Sequence, residues 1–260
     1  MTATALGRAR RTTLAGAVCA GLVAGMTGLV GCGADEDPDA GTNGVGKLSA
    51  AKIEAKTQAA AKDAGSVRLA GSVVSKGATY KLDMKLTGDG GSGEVRSKDR
   101  TFELLRVDGQ LYLKADAEFW NTQGGKGSQG GRDEPGKADD AAAGKLDGKY
   151  VKVPQGDAAY KQLSGFTDKD LLLDGLLTLH GKLAKGERGR ADGKRTITIS
   201  GDKGSGGTLA VSLDGRPYPL RLERAGGAGT LQLTDWDKPF ELKEPDKDQT
   251  VDYGKQLPTS

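Results

Sequence analysis

One imidazole is available in the 260 residues, that of His180. It stands late in a leucine-rich stretch, beside Gly181. With no matching nucleophile or acid at a set spacing, it reads as a structural or solvent-facing histidine rather than a catalytic one. No serine occupies a Gly-x-Ser-x-Gly elbow. Gly88, Gly90 and Gly93 in "GDGGSG" meet the glycine spacing of a dinucleotide loop, but a strand pattern follows where a helix would have to start. "GTNGVGKL" has Gly41, Gly46 and Lys47 at phosphate-loop spacing, yet Leu48 stands where Ser or Thr would hold magnesium. Asp35, Asp37 and Asp39 have the spacing of a calcium loop, but Ala40 replaces its glycine, Pro38 stiffens it and the distal Glu is missing. No catalytic constellation, metal site or cofactor site emerges, and the chain is not read as an enzyme.

Cysteine carries the one specific signal. Residues 1–16 hold Arg8, Arg10 and Arg11 and no acid, and Leu14 to Val30 are uncharged. A basic start, an apolar middle and a small-residue end make residues 1–31 a secretory signal peptide. The run is too rich in glycine to read as a permanent span of about 20 apolar residues. It closes on Leu29-Val30-Gly31-Cys32, which resembles a bacterial lipobox. There the Cys32 sulfur takes a diacylglycerol through a thioether, and a peptidase cuts before it, so a small residue must precede it. Cys19 has no acidic mature sequence after it and reads as part of the signal. Arg10-Arg11 is followed by "TTL", which leaves the general secretory and twin-arginine routes both open. Cleavage removes three Arg of 38 basic residues and none of the 35 acidic ones, leaving 35 against 35. A neutral mature chain gives no electrostatic footprint for nucleic acid. With Cys19 removed and Cys32 alkylated, neither a disulfide nor a thiolate metal site remains.

Residues 32–46, "CGADEDPDAGTNGVG", read as the lipidated cysteine and a flexible tether. A domain follows over 47–243, with an exposed insertion at 121–148 and a polar tail at 244–260. "KLSAAKIEAKTQAAAKDAG" predicts a helix with Leu48, Ala51, Ala55 and Ala59 near one face and Gly65 as its stop. In "ATYKLDMKLTG", Tyr80, Leu82, Met84 and Leu86 alternate with Thr79, Lys81, Asp83 and Lys85, a strand with one dry face. Further short strands are read in "SVRLAGSVV", "GEVRSK", "TFELLRV", "QLYLKA" and "KYVKV". "DAAYKQLSGF" and "TDKDLLLDGLLTLHGKLAKG" predict two helices, the second capped by Thr167 or Asp168 and leucine-rich on more than one face. The strands "RTITIS", "GTLAVSLDG", "YPLRLER" and "GTLQLTDW" close the domain. This order predicts an α+β fold with a large antiparallel sheet.

A lipobox, a tether, a helix, a meander with "DGQLYLKADAEFW", then "GKYVKV", leucine-rich helices and "DGRPYPLRLE" together resemble the actinobacterial LppX/LprG-type lipoproteins. The likeness runs from about Leu48 to Leu242. It implies a LolA-like fold: a curved antiparallel half-barrel whose concave face is covered by helices, around an apolar cavity for acyl chains. The lining it implies comprises Leu69, Tyr80, Leu82, Met84, Leu86, Phe102, Leu104, Leu172, Leu176, Leu177, Ile197, Ile199, Leu209, Val211 and Leu222. It also implies a monomer on the outer face of the cell membrane, held by Cys32, that carries or presents a lipid or glycolipid. Each buried methylene contributes about 0.8 kcal/mol, so an alkyl chain needs no specific polar contact. Periodicity does not distinguish a hollow interior from a filled one. The other reading is a solid-core envelope scaffold or sensor that acts through a protein partner.

Overall fold

The computed structural model describes residues 38–75, 77–98, 100–124, 143–252 and 254. Cys32, the signal segment and most of the 121–148 insertion lie outside the described residues.

Twelve strands form one open, curved, mostly antiparallel sheet. They are β1 (Ser66–Ser75), β2 (Ala78–Thr87), β3 (Gly91–Ser97), β4 (Arg100–Val107), β5 (Gln110–Ala115), β6 (Tyr150–Val153), β7 (Leu183–Ala191), β8 (Lys194–Gly201), β9 (Thr208–Ser212), β10 (Pro219–Glu223), β11 (Gly229–Thr234) and β12 (Thr250–Val251). Their order across the sheet is β12-β6-β5-β4-β3-β2-β1-β11-β10-β9-β8-β7. Among the described residues the sheet is accompanied by the helices α1 (Ala50–Asp63), α2 (Ala117–Gly124), α3 (Ala158–Ser164) and α4 (Lys169–Leu177), with a further helical turn at 143–146. The α+β class and the dominant antiparallel sheet are as expected from the sequence.

Alternation sets the register. Residues paired across antiparallel strands point to the same face, so one row runs Ala115, Phe102, Val95, Leu82, Gly71, Leu231, Leu222, Leu209, Ile199. A neighbouring row runs Val151, Leu113, Leu104, Gly93, Met84, Leu69, Leu233. Both rows face one core, which also holds α1 and α4 side chains. Each row contains a glycine at positive φ, Gly71 at 145° and Gly93 at 159°. A Cβ at Gly71 would be driven into the Thr230 carbonyl, and one at Gly93 into the Asp83 carbonyl. Glycine lets the backbones approach closely there, as bends in a curved sheet require.

The helices depart from expectation in informative ways. The buried face of α1 is Ala50, Ile53, Thr57, Ala60 and Ala61, while Ala51, Ala55 and Ala59 are exposed. An alanine-rich helix offers several weak faces, and Ile53, its one large apolar side chain, decides which is buried. Asp168 caps α4, accepting from the Leu171 N–H at 3.0 Å. The helix stops at Leu177 instead of running on through residue 186, because Thr178 is extended and Gly181 turns the chain at φ 81°. Leu183 then begins β7, an edge strand with almost no buried residue. It lacks apolar alternation, which is why the sequence did not mark it as a strand. Leu171, expected to help bury the helix, is 65% exposed.

Three segments assigned to solvent are in fact packed. The end of the tether is docked: Asp39, Val45 and Gly46 are buried. In the insertion, Ala143 and Leu146 join the core. From the polar tail, Thr250–Val251 pairs in parallel with Tyr150–Val151, and Glu244 accepts a hydrogen bond from the Tyr112 hydroxyl at 3.1 Å. That tail borders a second, small apolar cluster of Leu105, Val107 and Tyr112, with Leu242 against it.

Candidate functional site

The residues nominated as lining sit together on the core side of the sheet and on α4. Leu69, Met84, Leu86, Ile199, Leu209 and Val211 are 0% exposed. Leu82, Leu104, Leu176, Leu177, Ile197 and Leu222 are also buried, and Tyr80, Phe102 and Leu172 pack against them half-buried. A void wide enough for a water molecule would leave accessible surface on its walls. At the six fully covered positions the interior is therefore filled. The predicted lining is part of the packed core, together with side chains of α1 and α4.

A small cleft lies at the seam between α1 and α4. Gln58, Ala61, Lys62, Asp170, Leu173, Asp174, Leu177 and Thr178 line a cleft of about 110 Å³. That is below the roughly 300–1,000 Å³ of small-molecule pockets. Its chemistry is mixed, with apolar Leu173 and Leu177 at its base and polar groups around them.

The seam is joined by polar contacts spaced one helical turn apart on α1. The Leu179 N–H donates to Glu54 Oε1 at 3.0 Å. Gln58 Nε2 donates to the Leu177 carbonyl at 3.4 Å. Lys169 Nζ donates to the Lys62 carbonyl at 2.9 Å and pairs with Asp170 at 2.9 Å. Positions 54, 58 and 62 share one helical face, so α4 and the turn after it run along α1 in the opposite sense. Lys169 is buried, and its charge meets the C-terminal carbonyls of α1, the favourable end of that helix for a cation. Side-chain alternation gave no sign of this seam. The spacing of Glu54 and Gln58 was visible, but their partners belong to a segment 119 to 125 residues away.

Behind the seam α1 grips the sheet weakly. Alanines supply most of its buried face, and each missing methylene forgoes about 0.8 kcal/mol of burial. The Thr57 hydroxyl is buried there with no hydrogen-bond partner among the described residues. The packing of α1 therefore carries an unsatisfied polar group on its buried face.

His180 is exposed in the turn after α4, where its N–H donates to the Gly206 carbonyl at 2.9 Å. No group of three or more His, Cys, Asp or Glu among the described residues is placed to hold a metal. No helix among them is long and apolar enough to cross a membrane.

No family profile and no curated protein matches the sequence. Among solved structures the chain is similar to LprF from Mycobacterium bovis, at 16% identity and a TM-score of 0.49, over 75% of this chain and 96% of that one. It is also similar to the lipoprotein LppX of Mycobacterium tuberculosis, at 16% identity and a TM-score of 0.42, over 75% and 100% of the two chains. A protein from Thermus thermophilus follows at 9% identity and a TM-score of 0.35.

Proposed function

We propose that this chain is a lipoprotein of the outer face of the cell membrane, anchored through Cys32, that takes an acyl lipid or glycolipid between its sheet and its helices. The observation that carries the reading is the construction of the α1/α4 seam. A continuous apolar sheet face is covered by two helices whose mutual contacts are polar and whose grip at α1 is mostly alanine. Polar seam contacts exchange for water at little net cost. Parting the seam exposes Leu173, Leu176 and Leu177 and the leucine rows behind them, and an alkyl chain restores their burial. The closed, filled form is then the empty carrier.

The filled interior also supports a second reading, a solid-core scaffold that works through protein partners. Extraction of the purified mature chain, followed by lipid mass spectrometry, separates the two. The carrier reading expects a stoichiometric acyl lipid, and a lipid-free chain that takes up none from vesicles favours the scaffold. The Cys32 anchor has its own test. Cys32→Ala should release the chain from membranes, and full retention would contradict it.

A further inference from the structure

Arg106 stands where the sheet pattern calls for an apolar residue. It follows Phe102 and Leu104 on the core face of β4. Across the strands its row reads Val153, Leu111, Arg106, Gly91, Leu86 and Val67. The other five are buried. The Arg106 side chain is itself only 16% exposed. A guanidinium held at this depth among apolar groups is costly unless its N–H groups are matched, and here they are not.

Its contacts are half made. Arg106 Nη2 donates to the Thr167 carbonyl at 3.0 Å. Its carboxylate partner, Asp168 Oδ2, lies at 3.5 Å. The other oxygen of that carboxylate caps α4 through the Leu171 N–H. Arg106 Nε is buried with no hydrogen-bond partner among the described residues. Nε and Nη2 form a side of the guanidinium that a carboxylate or phosphate grips with two oxygens. Arg68 shows the complete form in the same sheet, with Nε and Nη2 on the two oxygens of Asp83 at 2.9 and 2.7 Å. At Arg106 one arm of that fork holds a carbonyl and the other holds nothing. Gly91, paired with Arg106, leaves room for this cover, since a Cβ there would press on the Thr167 carbonyl at 3.2 Å.

We propose that Arg106 is the headgroup site of the carrier and takes the phosphate or carboxylate of an anionic lipid. The proposal rests on the reading that the α1/α4 seam parts to admit an acyl chain. Thr167 and Asp168 lead directly into α4, and Lys169, next in the chain, makes the seam contact to Lys62. The cover of Arg106 and that end of the seam are therefore one piece of chain. When it lifts, the Nε–Nη2 fork is released. An anion with two oxygens fills both arms, which one carbonyl does not. The leucines of the neighbouring rows receive the alkyl chain. Asp168 competes with the ligand for the same cation, whereas Asp170 is paired with Lys169. The choice of an anionic lipid over a neutral one thus belongs to Arg106.

Pro38–Ser260 is one compact unit with its own core, so a chain begun at Gly33 serves for the test. Equilibrium dialysis compares decyl phosphate below its micelle-forming concentration, decanol and inorganic phosphate. Decyl phosphate should bind on the order of 10–100-fold more tightly than decanol, as a two-bond contact between charged groups supports. Arg106→Gln should lose that preference. Arg106→Lys, which keeps the charge and not the fork, should keep only part of it. Asp168→Asn retains a helix cap and removes the competing carboxylate, so it should tighten decyl phosphate binding several-fold. Equal affinity for decyl phosphate and decanol, or a preference that survives Arg106→Gln, overturns the proposal while lipid carriage stands. Should Arg106→Gln fail to fold, Asp168→Asn decides, and an unchanged decyl phosphate affinity overturns the proposal. Inorganic phosphate should not bind measurably; if it binds as tightly as decyl phosphate, the site is one for free phosphate and the headgroup assignment fails. No binding of either alkyl chain overturns carriage and this proposal together.

Discussion

Thr57 and Tyr112 show what single buried polar groups do in this fold. The Thr57 hydroxyl is desolvated without a partner, which costs about 1–3 kcal/mol. Thr57→Val keeps the shape and removes the cost, so urea unfolding should show a gain of about 1 kcal/mol; an unchanged or lower midpoint would contradict the reading. Burial, with Glu244 beside it, pushes the Tyr112 phenol up to about 12, from 10 in the unfolded chain. The folded state therefore keeps this proton where the unfolded chain releases it. Its contribution is full below pH 10 and is lost as pH rises towards 12. Tyr112→Phe should flatten that part of the alkaline unfolding curve followed by circular dichroism, and a curve of unchanged slope would refute the assignment. Asp237 has the opposite sign. The Tyr218 hydroxyl, then the Gly65 N–H, hold its carboxyl below the usual range. That contribution is present at neutral pH and is lost as the solution is acidified past the ordinary carboxylate range.

At the scale of elements, the proposed carrier role requires the α1/α4 seam to open. The nine residues of α4 rest on Leu173, Leu176 and Leu177 and on the contacts to Glu54, Gln58 and Lys62. The central strands β1, β2 and β11 are hydrogen-bonded on both sides. Amide exchange should therefore open α4 before the sheet, with β1, β2 and β11 exchanging only on global unfolding. Equal protection in α4 and β1 would argue for a solid core. Leu177→Ala removes a fully buried side chain and should destabilise by about 2–5 kcal/mol in a thermal melt; a change under 1 kcal/mol would show that α4 is not packed as described. The sheet was legible in sequence because alternation in β2, with Leu82, Met84 and Leu86 inward and Lys81, Asp83 and Lys85 outward, follows directly from the two-residue repeat. Edge strand β7 was not, since a strand with no buried face has no apolar alternation to read. The α1 face was misjudged because alanine is compatible with either side of a helix, and only tertiary contacts choose between them.

For the whole molecule, the sequence led to the same residues as the structure but not to their state. Leucines on alternate strand positions and on α4 were assigned to one interior, and they do share one core. Whether that interior holds protein or lipid depends on the distance between sheet and helices, which periodicity does not encode. The docked arm was hidden for a similar reason. "DAGTNGVG" has the composition of a linker, and it is fastened by Arg188, Arg195 and Lys185, residues more than 130 positions away. The central claim is that the α1/α4 seam parts to admit one acyl chain. It is tested most directly by the native mass of the intact mature chain after exposure to lipid vesicles, beside an Ala61→Cys, Leu173→Cys variant that pins the two helices across their shared cleft. The account predicts a one-lipid mass increase for the wild type and the reduced variant and none for the oxidised variant. A wild-type chain that keeps its bare mass would contradict it.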